Sequence, residues 1–454
     1  MLHMSKTLLV ALAALLIPVT AAAVTIRVPS EQPTIQQGID ATSMGDTVLV
    51  APDTYTGPLN RDLEFGGANI CVFSESGSEF AIIDCEVSGR GFFFHSGEDT
   101  TAVVRGFTIT NAVADSGAGA YCVAGSSPRF EECVFTDNTA QKRGGGLCCD
   151  ASSPVVRGCQ FTMNVAVETT RDDGRGGGMS CLFGSSPLIV DTDFIGNNAR
   201  YGGGGLHSRS SSPQLVRCGF MGNLVGDYGT GAGAALQQSD GATLTECTFR
   251  ENGVVTCLGG GMHVSGSTIT VTNCVFIDNI SGGAGGIHMA SESASTVTGC
   301  TFIGNIGSWS GAGALQCFSD ANPTVTNCTF VGNATNQVWC DLASPTLEYC
   351  VLAFSTAGLA VYCENGTETP SINHCFVFGN AGGDSLCGGN YHDNEYVEPL
   401  FCDWEMDDVT LCADSPCLPG ATWASLVGAE GEGCEACGTA VEQRTWGRIK
   451  ATYR

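Results

Sequence analysis

The stretch Pro128-Arg-Phe130-Glu-Glu-Cys133-Val-Phe135-Thr-Asp-Asn138, followed by Gly144-Gly145-Gly146-Leu147-Cys148-Cys149, decides the fold. Its core, Pro-x-apolar-x-x-Cys-x-Phe-x-x-Asn, returns at Pro154 to Asn164, Pro213 to Asn223 and Pro323 to Asn333. Looser copies centre on Cys247, Cys274, Cys300 and Cys375; Thr192 takes the Cys place in one, and Cys350 begins a degenerate one. A period of about 27 residues marks a solenoid, in which one rung cannot bury its apolar face without its neighbours.

Within a rung, Cys and Phe two residues apart share one face of a strand. The apolar residue three before Cys requires a bend between two short strands. Asn suits the turn that follows, where its amide bonds backbone. A Gly cluster comes next, then a third strand such as Leu206-His207-Ser208, Met262-His263-Val264 or Ile287-His288-Met289. Three short strands per rung, all wound one way, predict an all-β, right-handed parallel β-helix. About ten or more rungs at about 4.8 Å each make a rod of about 50 Å.

Outward from the repeats, the expected order is a signal peptide over 1–23, an N-terminal cap and first rungs over 24–100, the repetitive β-helix over 101–385, a Cys-rich C-terminal cap over 386–437 and a basic tail over 438–454. Lys6 precedes an apolar run, Leu8 to Val19, and Ala21-Ala22-Ala23 offers small residues for cleavage. That run is too short to span a bilayer, and no transmembrane anchor is expected. Pro33-Thr-Ile35-Gln-Gln-Gly-Ile39 predicts a short helix that closes the open end of the first rung.

The 454-residue chain carries 19 basic and 46 acidic residues, a net charge of −27. Such a balance excludes nucleic acid and anionic membranes as partners. All 25 cysteines follow the leader. The in-register rung cysteines are expected as stacked thiols, because rungs about 4.8 Å apart hold Cβ atoms beyond ordinary disulfide reach. Cys402, Cys412, Cys417, Cys434 and Cys437 lie in loop-like sequence and are expected to form disulfides over the last rung in an exported protein. A four-thiolate zinc site on Cys412, Cys417, Cys434 and Cys437 is the competing reading.

These residues resemble the right-handed parallel β-helix of the pectin-lyase-like superfamily. The Gly-Gly-x-apolar and Phe-x-x-Asn pairs are similar to the repeats of chlamydial-type polymorphic outer-membrane proteins. The opening Pro33-Thr-Ile-Gln, Gly45-Asp-Thr-Val and Pro52-Asp-Thr-Tyr55 resembles the start of secreted bacterial β-helix proteins. The resemblance covers about residues 25 to 420 and implies the fold, which hosts many activities.

Polygalacturonase-like members of that superfamily use Asn-Thr-Asp, Asp-Asp, Gly-His-Gly and Arg-Ile-Lys motifs. Here Arg448-Ile449-Lys450 stands alone in the tail, and no Gly-His-Gly occurs. Lyase-like members need an acidic calcium cluster beside a basic residue. Asp172, Asp173 and Arg175, with Arg171, are the candidates, on the long loop 168–175. Calcium is the one cofactor this reading implies. The other candidate is a ligand face of His207, His263, His288 and Gln316, with Gln237 near the same line, projecting outward from one sheet. In the tail, Trp446, Ile449 and Tyr453 could share a helical face.

The expected function is a monomeric, non-catalytic rod, secreted or at the cell surface, for adhesion or glycan binding. A polysaccharide lyase or glycoside hydrolase working through the 168–175 loop is the alternative, and a structural surface-layer component a third.

Overall fold

The computed structural model describes residues 22–167, 174–227, 229–253, 256–308 and 311–437. Three long parallel sheets of 15, 13 and 11 strands run the length of the molecule. Each rung contributes one strand to each sheet, as Arg129–Glu131, Val134–Thr136 and Leu147–Asp150 do. Pairing is parallel and in register from rung to rung: Phe130 with Val156, Phe135 with Phe161, Cys149 with Cys181. Fifteen strands at about 4.8 Å spacing give a rod of about 70 Å, longer than the rung count in the sequence implied.

At the start, the helix Ile35–Asp40 is capped by Thr34, whose side chain accepts from the Gln37 amide. Gly38 lets it approach the sheet: a Cβ there would lie 2.9 Å from Val28 and Val48.

Three internal ladders explain the repeated residues. The rung phenylalanines stack face to face, Phe135 on Phe161 at 4.8 Å and Phe302 on Phe330 at 4.7 Å between ring centres. The last Gly of each cluster makes room for a ring, since a Cβ on Gly205 would lie 2.8 Å from the Phe220 ring. This is why Gly clusters and Phe recur together.

The asparagines Asn138, Asn164, Asn197, Asn223, Asn252, Asn279, Asn305 and Asn333 are all fully buried. Asn197 Nδ2 donates to Asn223 Oδ1 at 3.0 Å and to the Phe161 carbonyl at 2.8 Å. Its Oδ1 accepts from Asn164 Nδ2 and from the Asn164 amide, both at 3.0 Å. All four hydrogen-bonding positions of the amide are thus filled without water. The Asn is a rung-to-rung strut as well as a turn residue.

The rung cysteines remain thiols. Cys274 Sγ accepts from the Cys247 amide at 3.4 Å and donates to the Thr272 carbonyl at 3.4 Å. Thr192 does the same with oxygen, accepting from the Cys159 amide at 3.4 Å and donating to the Val190 carbonyl at 2.9 Å. The position therefore selects a small side chain that both donates and accepts at the bend. Burial pushes the thiols of Cys122 and Cys317 well above their ordinary range, which keeps them protonated.

The C-terminal part corrects two expectations. Cys402–Cys434 and Cys412–Cys437 are disulfides, but Cys417 is a buried free thiol, and a third bridge joins Cys363 to Cys387. The first part of the segment stays on the last rungs, with Asn390–His392 paired to Ser371–Asn373 and Leu386 packed on the core, but the part bearing Cys402–Cys434 and Cys412–Cys437 does not sit there. Its small sheet of Phe401–Asp403, Asp408–Cys412 and Glu432–Cys434 turns back along the outer face of the 13-stranded sheet. There Phe401, Val409, Leu411 and Val427 pack on Ile277, Ile303, Val331 and Val351. Asn327 Nδ2 donates to the Leu426 carbonyl at 2.7 Å, and Arg250 reaches Asp407 at 3.2 Å. The outward residues on those rungs are apolar, Ile277, Ile303 and Val331 in succession, where the rungs before them carry Thr136, Thr162, Ile195, Met221 and Arg250.

Candidate functional site

The expected histidine column exists in the 11-stranded sheet. Ser180, His207, Ala235, His263, His288, Gln316, Trp339 and Tyr362 align in that order on successive rungs. They alternate with core residues such as Leu206 and Ser208, so they point away from the interior. Gln237 faces the same way but lies two residues further along its strand, aligned with Arg209 and Ser265.

The face is not solvated. His207 is 0% exposed, His263 5%, His288 4% and Gln316 4%. The Gly clusters are the reason. Gly176, Gly203, Gly231 and Gly259 adopt positive φ, and a Cβ on Gly203 would lie 2.3 Å from the Leu206 carbonyl oxygen. These tight turns fold the preceding chain back over the strand. A row of parallel bridges, Arg143 to Arg175 to Gly202 to Thr230 to Leu258, runs beside the column. A Cβ on Gly283 would lie 3.3 Å from the His288 ring and 2.9 Å from Gln316 Oε1.

Of the catalytic candidates, Arg175 lies within the described residues; Asp172 and Asp173, with Arg171, lie outside them. Its Nη1 donates to Gln237 Oε1 at 2.7 Å and lies 3.3 Å from His207 Nε2. A guanidinium only donates, so His207 Nε2 accepts. His207 Nδ1 then carries the proton and donates to Ser180 Oγ at 3.3 Å. Burial, with Arg175 next in weight, holds His207 well below the usual histidine range. The ring is neutral, and this assignment agrees with its tautomer.

His263 and His288 face each other through Nδ1, 3.1 Å apart. One must donate and the other accept, so the pair holds opposite tautomers. Burial lowers both, His288 to about 4. Both ends of the column are aromatic and half-buried. Phe93 and Tyr121 stack at 5.7 Å with the Arg90 guanidinium 5.3 and 5.5 Å from their rings, and Trp339 and Tyr362 follow Gln316. Gln316 Oε1 and Trp339 Nε1, an acceptor and a donor on adjacent rungs, are buried without a partner among the described residues.

Residues 69–231 and 231–395 each match the family described as the right-handed β-helix region. The chain belongs to the right-handed β-helix family. Among solved structures, this β-helix is similar to the periplasmic alginate epimerase AlgG at 8% identity, covering 76% of this chain and 79% of that one, with a TM-score of 0.43. It is similar to a mannuronic acid-specific polysaccharide family 6 lyase from human gut microbiota at 14% identity, 94% of each chain and a TM-score of 0.42. Pectate lyase Pel9A matches at 12% identity, over 88% of this chain and 91% of that one, with a TM-score of 0.39. No curated protein sequence matches the chain.

Arg448-Ile449-Lys450 and the tail residues Trp446, Ile449 and Tyr453 lie outside the described residues. No helix among the described residues is long and apolar enough to cross a membrane. Sequence reasoning missed the aromatic ends of the column. The signal was available: Tyr121, Trp339 and Tyr362 stand at the same strand position as His207.

Proposed function

We propose that this β-helix is an exported, non-catalytic rod that binds a glycan at the half-buried aromatic end of the outer column of its 11-stranded sheet, at Trp339 and Tyr362. The carrying observation is the pair Gln316 Oε1 and Trp339 Nε1, unpartnered on adjacent rungs and flanked by the Trp339 and Tyr362 rings. Buried polar atoms need partners. A hydroxyl accepts from the indole and donates to the amide, and sugars present hydroxyls beside apolar faces that suit aromatic rings. The net charge of −27 favours a neutral glycan over an anionic one. The column histidines are held out of reach: His207 is bonded to Arg175 and Ser180, His263 to His288, and all three are buried.

A second reading, a polysaccharide lyase or hydrolase, draws on Arg175, a half-buried cation beside the loop that bears Asp172 and Asp173. Calcium belongs to that reading only. The two are separated by incubating the leaderless chain with neutral and acidic polysaccharides plus calcium, scoring both retention and new reducing ends or unsaturated products. Retention without products, weakened at least tenfold by Trp339→Ala, supports the binding rod. Products that vanish with Arg175→Ala or Asp172→Ala overturn it in favour of the enzyme. Neither retention nor products overturns it in favour of a structural surface component.

A further inference from the structure

The C-terminal sheet gathers four cysteines from distant points of the segment. Cys402 lies in Phe401–Asp403, Cys412 ends Asp408–Cys412, Cys434 ends Glu432–Cys434, and Cys437 follows by three residues. They form two disulfides, Cys402–Cys434 and Cys412–Cys437. The two bridges touch. Cys434 Sγ is 3.7 Å from Cys412 Sγ and 3.8 Å from Cys437 Sγ. The sulfurs of Cys402, Cys412 and Cys434 all lie within 4.8 Å of one another.

Three mutually close sulfurs, with Cys437 bonded to one of them and 3.8 Å from another, approach a second chemical state. Zinc bound by four thiolates holds each sulfur at about 2.3 Å, so the edges of its tetrahedron are about 3.8 Å. Two edges of that figure are already present across the bridges, at Cys434 to Cys412 and Cys434 to Cys437. Cleaving the two S–S bonds and moving each sulfur by about 1 Å supplies two more at that length; of the remaining two, Cys402–Cys412 is already within 4.8 Å, and Cys402–Cys437 is the edge that has to close on reduction. Cys434-Glu-Ala-Cys437 has the two-residue spacing common in such sites. Cys417 is not a ligand, because it is buried in the apolar cluster with Phe401 and Val427. The rung thiols sit inside the solenoid and cannot converge on the segment.

We propose that the reduced form of this segment binds one Zn²⁺ through Cys402, Cys412, Cys434 and Cys437, so that one fold is held by metal when reduced and by two disulfides when oxidised. Each disulfide takes two electrons and two protons from a dithiol, which is itself oxidised to a disulfide. Four thiols then release four protons to solvent as the metal binds. The inference is independent of any glycan bound on the opposite sheet.

The test is a cobalt titration of the full chain after reduction by a dithiol under anaerobic conditions and removal of the reductant. The expected result is one equivalent of Co²⁺ with the visible bands of tetrahedral thiolate ligation, displaced by one equivalent of Zn²⁺. Cys437→Ser weakens binding more than tenfold and alters the bands, whereas Cys417→Ser changes neither. Circular dichroism on each variant establishes that the solenoid is intact. Absence of thiolate bands in the folded wild-type chain, or the same bands in Cys402→Ser and Cys437→Ser, overturns the proposal.

Discussion

His263 Nδ1 and His288 Nδ1 stand 3.1 Å apart on adjacent rungs, a hydrogen bond that exists only while the pair shares a single proton between those two nitrogens. Burial lowers His288 to about 4 and His263 well below its ordinary value. In the unfolded chain both titrate near about 6.5. As pH falls below that value the unfolded state takes up protons that the folded state refuses, so stability is lost. For His288 alone, a shift to about 4 is worth about 3 kcal/mol, fully present above pH of about 6.5. Urea midpoints should fall between pH 6.5 and 4. A His263→Gln, His288→Gln variant should fall less over that window. A midpoint constant in that range would refute the neutral pair. Glu368, lowered to about 2 by backbone and side-chain hydrogen bonds that outweigh its burial, contributes stability that is present above the usual carboxylate range and lost only as pH falls below it.

The Asn ladder predicts a large local cost. Asn223→Ala removes the acceptor for the Asn197 amide and Asn197 Nδ2, and the donor to Asn252 Oδ1 and the Phe194 carbonyl. With several buried groups left unpaired at about 1–3 kcal/mol each, the loss should exceed about 3 kcal/mol. Denaturant unfolding of this variant beside the surface change Asn322→Ala measures it. A loss under about 1 kcal/mol would mean the ladder is passive.

Thr192 predicts which changes the thiol positions accept. Cys274→Thr should cost less than about 1 kcal/mol, because a hydroxyl repeats both bonds seen at Thr192. Cys274→Ala should cost about 1–3 kcal/mol more, because the Cys247 amide is left unpaired. Thermal melts of the two variants rank them, and the reverse order would contradict the assigned role.

Much of this fold was legible in the residues, and the reasons it was not fully so are local. The two-residue spacing of Cys133 and Phe135 places both on one strand face, and the Gly clusters mark the turns before the third strand. Stacking then follows from repetition. Burial of His207 was hidden, since alternation along Leu206-His207-Ser208 says only that His207 faces away from the core. What covers it is the turn at Gly203, a matter of backbone sign that composition does not state. The docking of the C-terminal segment left only a faint trace: the outward residue after each Phe is Ile277, Ile303 and Val331 on the covered rungs, but Ile195 and Met221 stand at the same position on uncovered ones. The Cys363–Cys387 bridge had no comparable trace, because Cys363 sits in a strand that resembles the thiol-bearing ones.

The repeated residues form non-covalent ladders between rungs, and the disulfides are confined to the C-terminal part. Counting maleimide adducts by intact mass, before and after unfolding without reductant, tests it most directly. The ladders predict 19 adducts on the unfolded chain and no more than one, at the partly exposed Cys71, on the native chain. An unfolded chain with far fewer adducts would place disulfides between the rungs and contradict the account.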